Sequence, residues 1–113
     1  MVDLQLKLAR RVLERLGVIG SVGAPDGADT NKAIEALQVV HEELVDRQLV
    51  RWSWSYMRSS VQQAYVRLAA AQIAPDYGQD FGADSGDAGA PMRVIFAAAR
   101  NPTTGHDARP DYF

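Results

Sequence analysis

Residues 59–78 read SSVQQAYVRLAAAQIAPDYG, and their reading decides the fold. Val61, Ala64, Tyr65, Leu68, Ala69, Gln72 and Ile73 recur at the spacing of one helix face, so the stretch predicts an amphipathic helix. Ser59-x-x-Gln62 and Ser60-x-x-Gln63 each fit a capping box at its start. Ala69, Ala70 and Ala71 are small enough for another helix to approach closely. A proline biases the residue before it away from helical backbone, so Pro75 is expected to push Ala74 out of the helix and stop it.

Two further helices precede this one. Leu4, Leu8, Val12 and Leu16 form a stripe, widened by Leu6, Ala9 and Leu13, which predicts a helix over 3–16 capped by Asp3. Lys7, Arg10, Arg11, Glu14 and Arg15 make its other face mostly basic, and Gly17 suits a left-handed end cap. The stretch 17–29 carries four glycines and a proline and reads as a loop. A second helix starts at Asp29 or Thr30 and runs to about Arg47, with Ile34, Leu37, Val40 or His41, and Leu44 on its stripe and Val45 beside it. Glu35, Glu42, Glu43 and Asp46 make its other side acidic, so the pair is expected to form an antiparallel hairpin with complementary rims.

The remaining segments are less regular. In LVRWSWSYM, residues 49–57, Val50, Trp52, Trp54 and Tyr56 alternate with Arg51, Ser53 and Ser55 at a strand period. Nothing else in the chain offers a strand to pair with. The segment is therefore a strand completed by a neighbouring chain, or a loop pinned by its tryptophans. Residues 76–90 hold four aspartates and four glycines and predict a mobile, acidic loop. Pro91 suits a first helical position, and MRVIFAAAR predicts a short fourth helix ended by Asn101-Pro102. The fold class expected is all-α, a small antiparallel bundle of about four helices with extended loops, in a domain over 1–100 followed by a C-terminal arm over 101–113.

Totals bound the function. A chain of 113 residues is one domain and can bury roughly two-thirds of its unfolded surface without staples. The absence of cysteine excludes a disulfide framework and a thiolate metal site. There is no run of 18 apolar residues and no signal-peptide stretch in MVDLQLKLARRV, so no membrane association is expected. A net charge of −2 speaks against holding nucleic acid by bulk electrostatics. Ten of the twelve basic residues are arginine, a skew that a GC-rich genome also produces.

Catalytic and metal patterns are thin. His41 reads as a helix-surface or half-buried histidine, and His106 stands in a different kind of segment. Adjacent Glu42 and Glu43 point about 100° apart on a helix and cannot act on one substrate together. Asp76, Asp80, Asp84 and Asp87 lack the spacing of a calcium loop and its bidentate glutamate. The glycines at 17, 20 and 23 come without a phosphate-loop lysine. Trp52 and Trp54, flanked by Arg51 and Arg58, suit core anchoring or protein contact better than base stacking. No cofactor and no metal is expected. What remains is a small-residue helix face, an aromatic segment without a partner and a tail without a core, which chains of this kind satisfy by oligomerising or docking.

VLERLGV at 12–18 and LAAAQIAPDYG at 68–78, with the acidic helix IEALQVVHEELVDRQ between them, carry a likeness to a family. In this order they resemble the small head–tail adaptor proteins of tailed bacteriophages, especially the tail accessory, or packaged-DNA-stabilisation, proteins of short-tailed phages. The likeness covers roughly residues 4–78. The chain departs from the family where a Gly/Asp-rich loop and a short fourth helix follow the proline turn, and its C-terminal part is shorter than in the longer members.

The resemblance implies a non-enzymatic adaptor in the virion, at the head–tail junction, which passes through the host cytoplasm during assembly. Copies would form a ring, typically of twelve, beneath the portal protein. The ring would extend the channel through which packaged DNA passes without specific binding, and would present a platform for tail or nozzle proteins. By position, Ile73, Pro75, Asp76 and Tyr77 form the proline-turn motif, with Tyr77 packing on the bundle and Asp76 capping the next turn or meeting an arginine. Residues 101–113 would grip the portal through Pro102, Arg109, Pro110, Asp111, Tyr112 and Phe113. Arg51, Trp52, Trp54 and Tyr56 would make inter-subunit or tail contacts. Two other readings stand beside it: a small regulatory module binding DNA or an acidic partner through Arg10, Arg11 and Arg15, and a hydrolase using Glu14 and Glu43.

Overall fold

In a computed structural model the chain is all-α, and the structure describes residues 2–18, 27–50, 52 and 57–100. Helix α1 spans Val2–Leu16, α2 Gly27–Asp46, α3 Ser59–Ile73 and α4 Ala90–Arg100, with short 3-10 turns at Ala74–Tyr77 and Gly82–Asp84. Among the described residues there is no strand, and Leu49, Val50, Trp52 and Met57 lie in irregular backbone.

Helix α3 is the centre of the bundle and packs on α1, α2 and α4. Its buried residues are Val61, Ala64, Tyr65, Val66, Ala69, Ala70 and Ile73, while Leu68 is half-buried and Gln72 exposed. A helix packed on three sides buries more than one stripe, which is why Val66 and Ala70 join the core. Against it α1 places Leu8, Ala9, Val12, Leu13 and Leu16, and α2 places Ala33, Ala36, Leu37, Val40 and Leu44. Leu6 and Val45, read as edges of the apolar stripes, are instead 46% and 50% exposed, because each faces away from the hairpin's shared core.

The helix ends follow one device three times. Gly17 has φ 76°, its N–H bonds the Glu14 carbonyl and the Val18 N–H bonds the Leu13 carbonyl. Gly78 repeats the pattern, with bonds to Pro75 and Ala74. Gln48, at φ 61°, closes α2 in the same way through Val45 and Leu44. In each, a left-handed residue turns two N–H groups back onto carbonyls that the helix leaves unpaired.

The helix starts differ from expectation. Helix α1 begins at Val2, so Asp3 lies within the helix rather than capping it, and α2 begins at Gly27, two residues before Asp29. Neither capping box forms at α3. Its cap is Arg58 in extended backbone with no side-chain cap bond, and Ser59 is already helical. The Gln62 amide reaches past the expected position to donate to the Met57 carbonyl, 2.9 Å away.

Candidate functional site

The proline corner joins the ends of three helices. A proline has no N–H, so the regular helical ladder cannot continue through Pro75. The break falls one residue earlier than expected. Ile73 takes φ −103°, ψ 0°, whereas Ala74 keeps helical angles of −53° and −41° and opens the 3-10 turn. Ala74 is fully buried, and the tighter 3-10 winding accommodates a helical residue before proline by moving the bend to Ile73.

Side chains fasten this corner to α2. The Asp76 carboxylate meets Lys32 Nζ at 2.9 Å, so its partner is a lysine rather than an arginine or a following helix turn. Tyr77 packs half-buried against the core and donates its hydroxyl to Asp29 at 2.7 Å. Lys32 Nζ also lies 5.8 Å from the Tyr77 ring centre. Asp29 and Lys32 are three residues apart in the first turns of α2, and therefore face the corner together. Gln79, just past the corner, donates its side-chain amide to the Leu16 carbonyl at the end of α1.

A half-buried polar chain anchors Trp52. The Trp52 indole N–H donates to the Tyr65 hydroxyl at 3.1 Å, and that hydroxyl lies 2.6 Å from His41 Nδ1. Tyr65 is fully buried, and burial pushes its phenol up to about 12. Burial also lowers the basicity of His41, against an opposing pull from Glu42. Trp52 thus directs its polar edge into the bundle. Arg51, Trp54 and Tyr56, offered with it as inter-subunit or tail contacts, lie outside the described residues, as do His106 and the arm residues Pro102, Arg109, Pro110, Asp111, Tyr112 and Phe113.

The segment expected to be a free acidic loop is tied down at several points. Asp84 is only 7% exposed. Arg67 grips it with two bonds of 2.7 and 3.2 Å, and Arg15 adds a third of 3.0 Å. The Arg67 guanidinium, helped by Arg15, holds the Asp84 carboxyl below the usual carboxylate range despite burial. Gly89 is packed so closely that a Cβ there would lie 3.0 Å from backbone atoms of Ala83 and Asp84. Asp87 forms a two-bond pair with Arg47 at 3.1 and 3.2 Å, and Asp80 accepts the Gly82 N–H at 2.9 Å. The four aspartates thus turn to separate partners, none shared between two of them, and no three potential metal ligands gather among the described residues.

Of the other proposed site residues, Arg10, Glu14 and Glu43 are engaged and Arg11, among the described residues, is not. Arg10 pairs with Glu14 at 3.2 Å and Arg47 with Glu43 at 3.9 Å. A groove of about 260 Å³ lies between α2, α3 and the start of α4, with Val40, Leu44, Leu68 and Met92 in its lining and the Arg47–Asp87 pair at its rim.

The complementary rims expected within the α1–α2 hairpin do not engage at their outermost charges. Lys7 and Arg11 on α1, and Glu35, Glu42 and Asp46 on α2, are all exposed and have no ion-pair partner among the described residues. Each set stands on the side of its helix opposite the buried stripe, so the two faces point away from the core they share.

No helix among the described residues is long and apolar enough to cross a membrane. Comparison of the chain with protein-family models, with curated proteins and with solved structures finds no match.

Proposed function

We propose that the chain is a structural head–tail adaptor of a tailed bacteriophage, which assembles as a ring beneath the portal protein, extends the DNA channel and carries the tail proteins. The observation that carries this reading is the Ile73–Gly78 corner. The run IAPDYG, which bears most of the resemblance, is also where α3 is bound back to the start of α2 through Lys32–Asp76 and Asp29–Tyr77. Such a corner suits a body that must hold a fixed shape within an assembly. The charged side chains support the same reading, since Arg15, Arg67, Arg47 and their aspartates tie elements together. With Arg15 on Asp84 and Arg10 on Glu14, the arginine face of α1 is partly neutralised, which weakens the DNA-binding reading.

The test is co-purification with the portal protein encoded in the same genome, comparing the full chain with one ending at Asn101. A ring complex formed by the full chain and lost on truncation is the expected outcome. Failure of both chains to bind that portal would reject the adaptor reading.

A further inference from the structure

We infer that the outer face of α1 on one copy of this chain docks against the outer face of α2 on a second copy. Lys7 and Arg11 stand one helical turn apart on α1, and Glu42 and Asp46 stand one turn apart on α2. Four residues of helix advance about 6 Å, so the two pairs of opposite charge have matching spacing and can meet in register. All four side chains are exposed and lack an ion-pair partner among the described residues.

Both faces also carry apolar residues that the bundle leaves outside. Leu6 on α1 is 46% exposed, and Val39 and Val45 on α2 are 45% and 50% exposed. These flank the charges on their own faces and give the contact area that exposed ion pairs alone do not supply. No lysine or arginine stands between Glu35 and Asp46, and the one histidine there, His41, has its charged form disfavoured by burial, so the acidic face keeps its charge. Nucleic acid would suit the α1 face but be repelled by the α2 face, whereas a second copy satisfies both.

The charge pattern gives the contact a direction. An α1 face repels another α1 face, and an α2 face repels another α2 face, so each copy offers one donor surface and one acceptor surface. Repetition of such a head-to-tail contact builds a ring where the rotation between copies closes. The inference rests on the ring in the proposed function for its context, but its test uses the chain alone and requires no portal.

Self-association of the full chain is measured by sedimentation at low and high salt, for the native sequence, K7E/R11E, E42K/D46K and the chain carrying all four changes. The native chain is expected to associate and to weaken as salt rises. Each double reversal should weaken association at least about tenfold, and the fourfold variant should recover it. All substituted positions are exposed, and helical content by circular dichroism checks that the variants fold. A native chain that stays monomeric at millimolar concentration in low salt overturns the inference. So does association that the double reversals leave unchanged, or a fourfold variant that stays as weak as its parents. Portal binding that fails while this pattern holds rejects the adaptor reading and leaves the copy-to-copy contact standing.

Discussion

Two single positions carry stability out of proportion to their surroundings. Asp84 is buried and held by two arginines, so replacing it with asparagine leaves both guanidiniums without their carboxylate. Removing one member of a buried pair costs about 3–5 kcal/mol, and the partial exposure of Arg15 and Arg67 brings the expected loss for Asp84→Asn to about 2–3 kcal/mol. The native carboxyl titrates below its unfolded value, so its contribution is complete above about pH 4 and is lost as the pH falls through the folded value. Urea unfolding from pH 7 to pH 3 should therefore show a loss of stability below pH 4 that is smaller in Asp84→Asn. Gln48 is the second position. It occupies the left-handed cap that glycine fills at 17 and 78, where a Cβ costs about 1–2 kcal/mol. Gln48→Gly should raise stability by about 0.5–1 kcal/mol, and Gly78→Ala should lower it by about 1 kcal/mol although open space surrounds its Cα. Equal and unchanged unfolding midpoints for both variants would contradict the shared geometry.

At the scale of elements, what the sequence made legible is what short-range periodicity encodes. The buried stripes of α1 and α3, the glycine end of α1 and the stop near Pro75 all depend on residues within a turn or two of each other. The ties between elements do not. Asp84 finds partners 17 and 69 residues away, and Asp29 meets a tyrosine 48 residues on, so nothing beside them in the chain marks them out. Gln48 was hidden for another reason: its cap geometry lies in its backbone and its side chain gives no sign of it. The capping boxes misled because the serine pattern is right, but the cap falls on Arg58, before both serines. The Trp52–Tyr65–His41 chain links Trp52 to α3 and α2 and allows a direct test of such a tie. Tyr65→Phe leaves the half-buried indole N–H without its acceptor and should cost about 1 kcal/mol. Burial disfavours the charged form of His41, so below about pH 6.5 the unfolded chain takes up the proton more readily and stability falls as the pH is lowered. His41→Gln keeps an acceptor for the tyrosine and cannot titrate, so denaturant midpoints between pH 7 and pH 5 should lose that slope. An unchanged slope in His41→Gln would place the pH sensitivity elsewhere.

The whole molecule depends on α3, since each of the other three helices packs on it. Most of these contacts join neighbouring elements along the chain, a topology that folds quickly and as a unit. The small residues of α3 set how closely the others approach. Ala69 and Ala70 are fully buried, while Ala71, one position on, is half-buried. Ala69→Leu must place three extra carbons in a space already filled, and an overpacked core loses about 1–3 kcal/mol. Ala71→Leu has solvent on one side and good helix propensity, so its effect should stay within about 0.5 kcal/mol. Because α3 contacts every other helix, the damage from Ala69→Leu should not be local. Far-ultraviolet circular dichroism, which reports all four helices, and tryptophan fluorescence, to which Trp52 beside Tyr65 contributes, should shift together along the denaturant axis. Coincident curves displaced to lower denaturant would mean that the bundle unfolds as one body around α3. Separate curves, with fluorescence unmoved while helicity falls early, would mean that α4 and the 74–89 corner form a unit of their own.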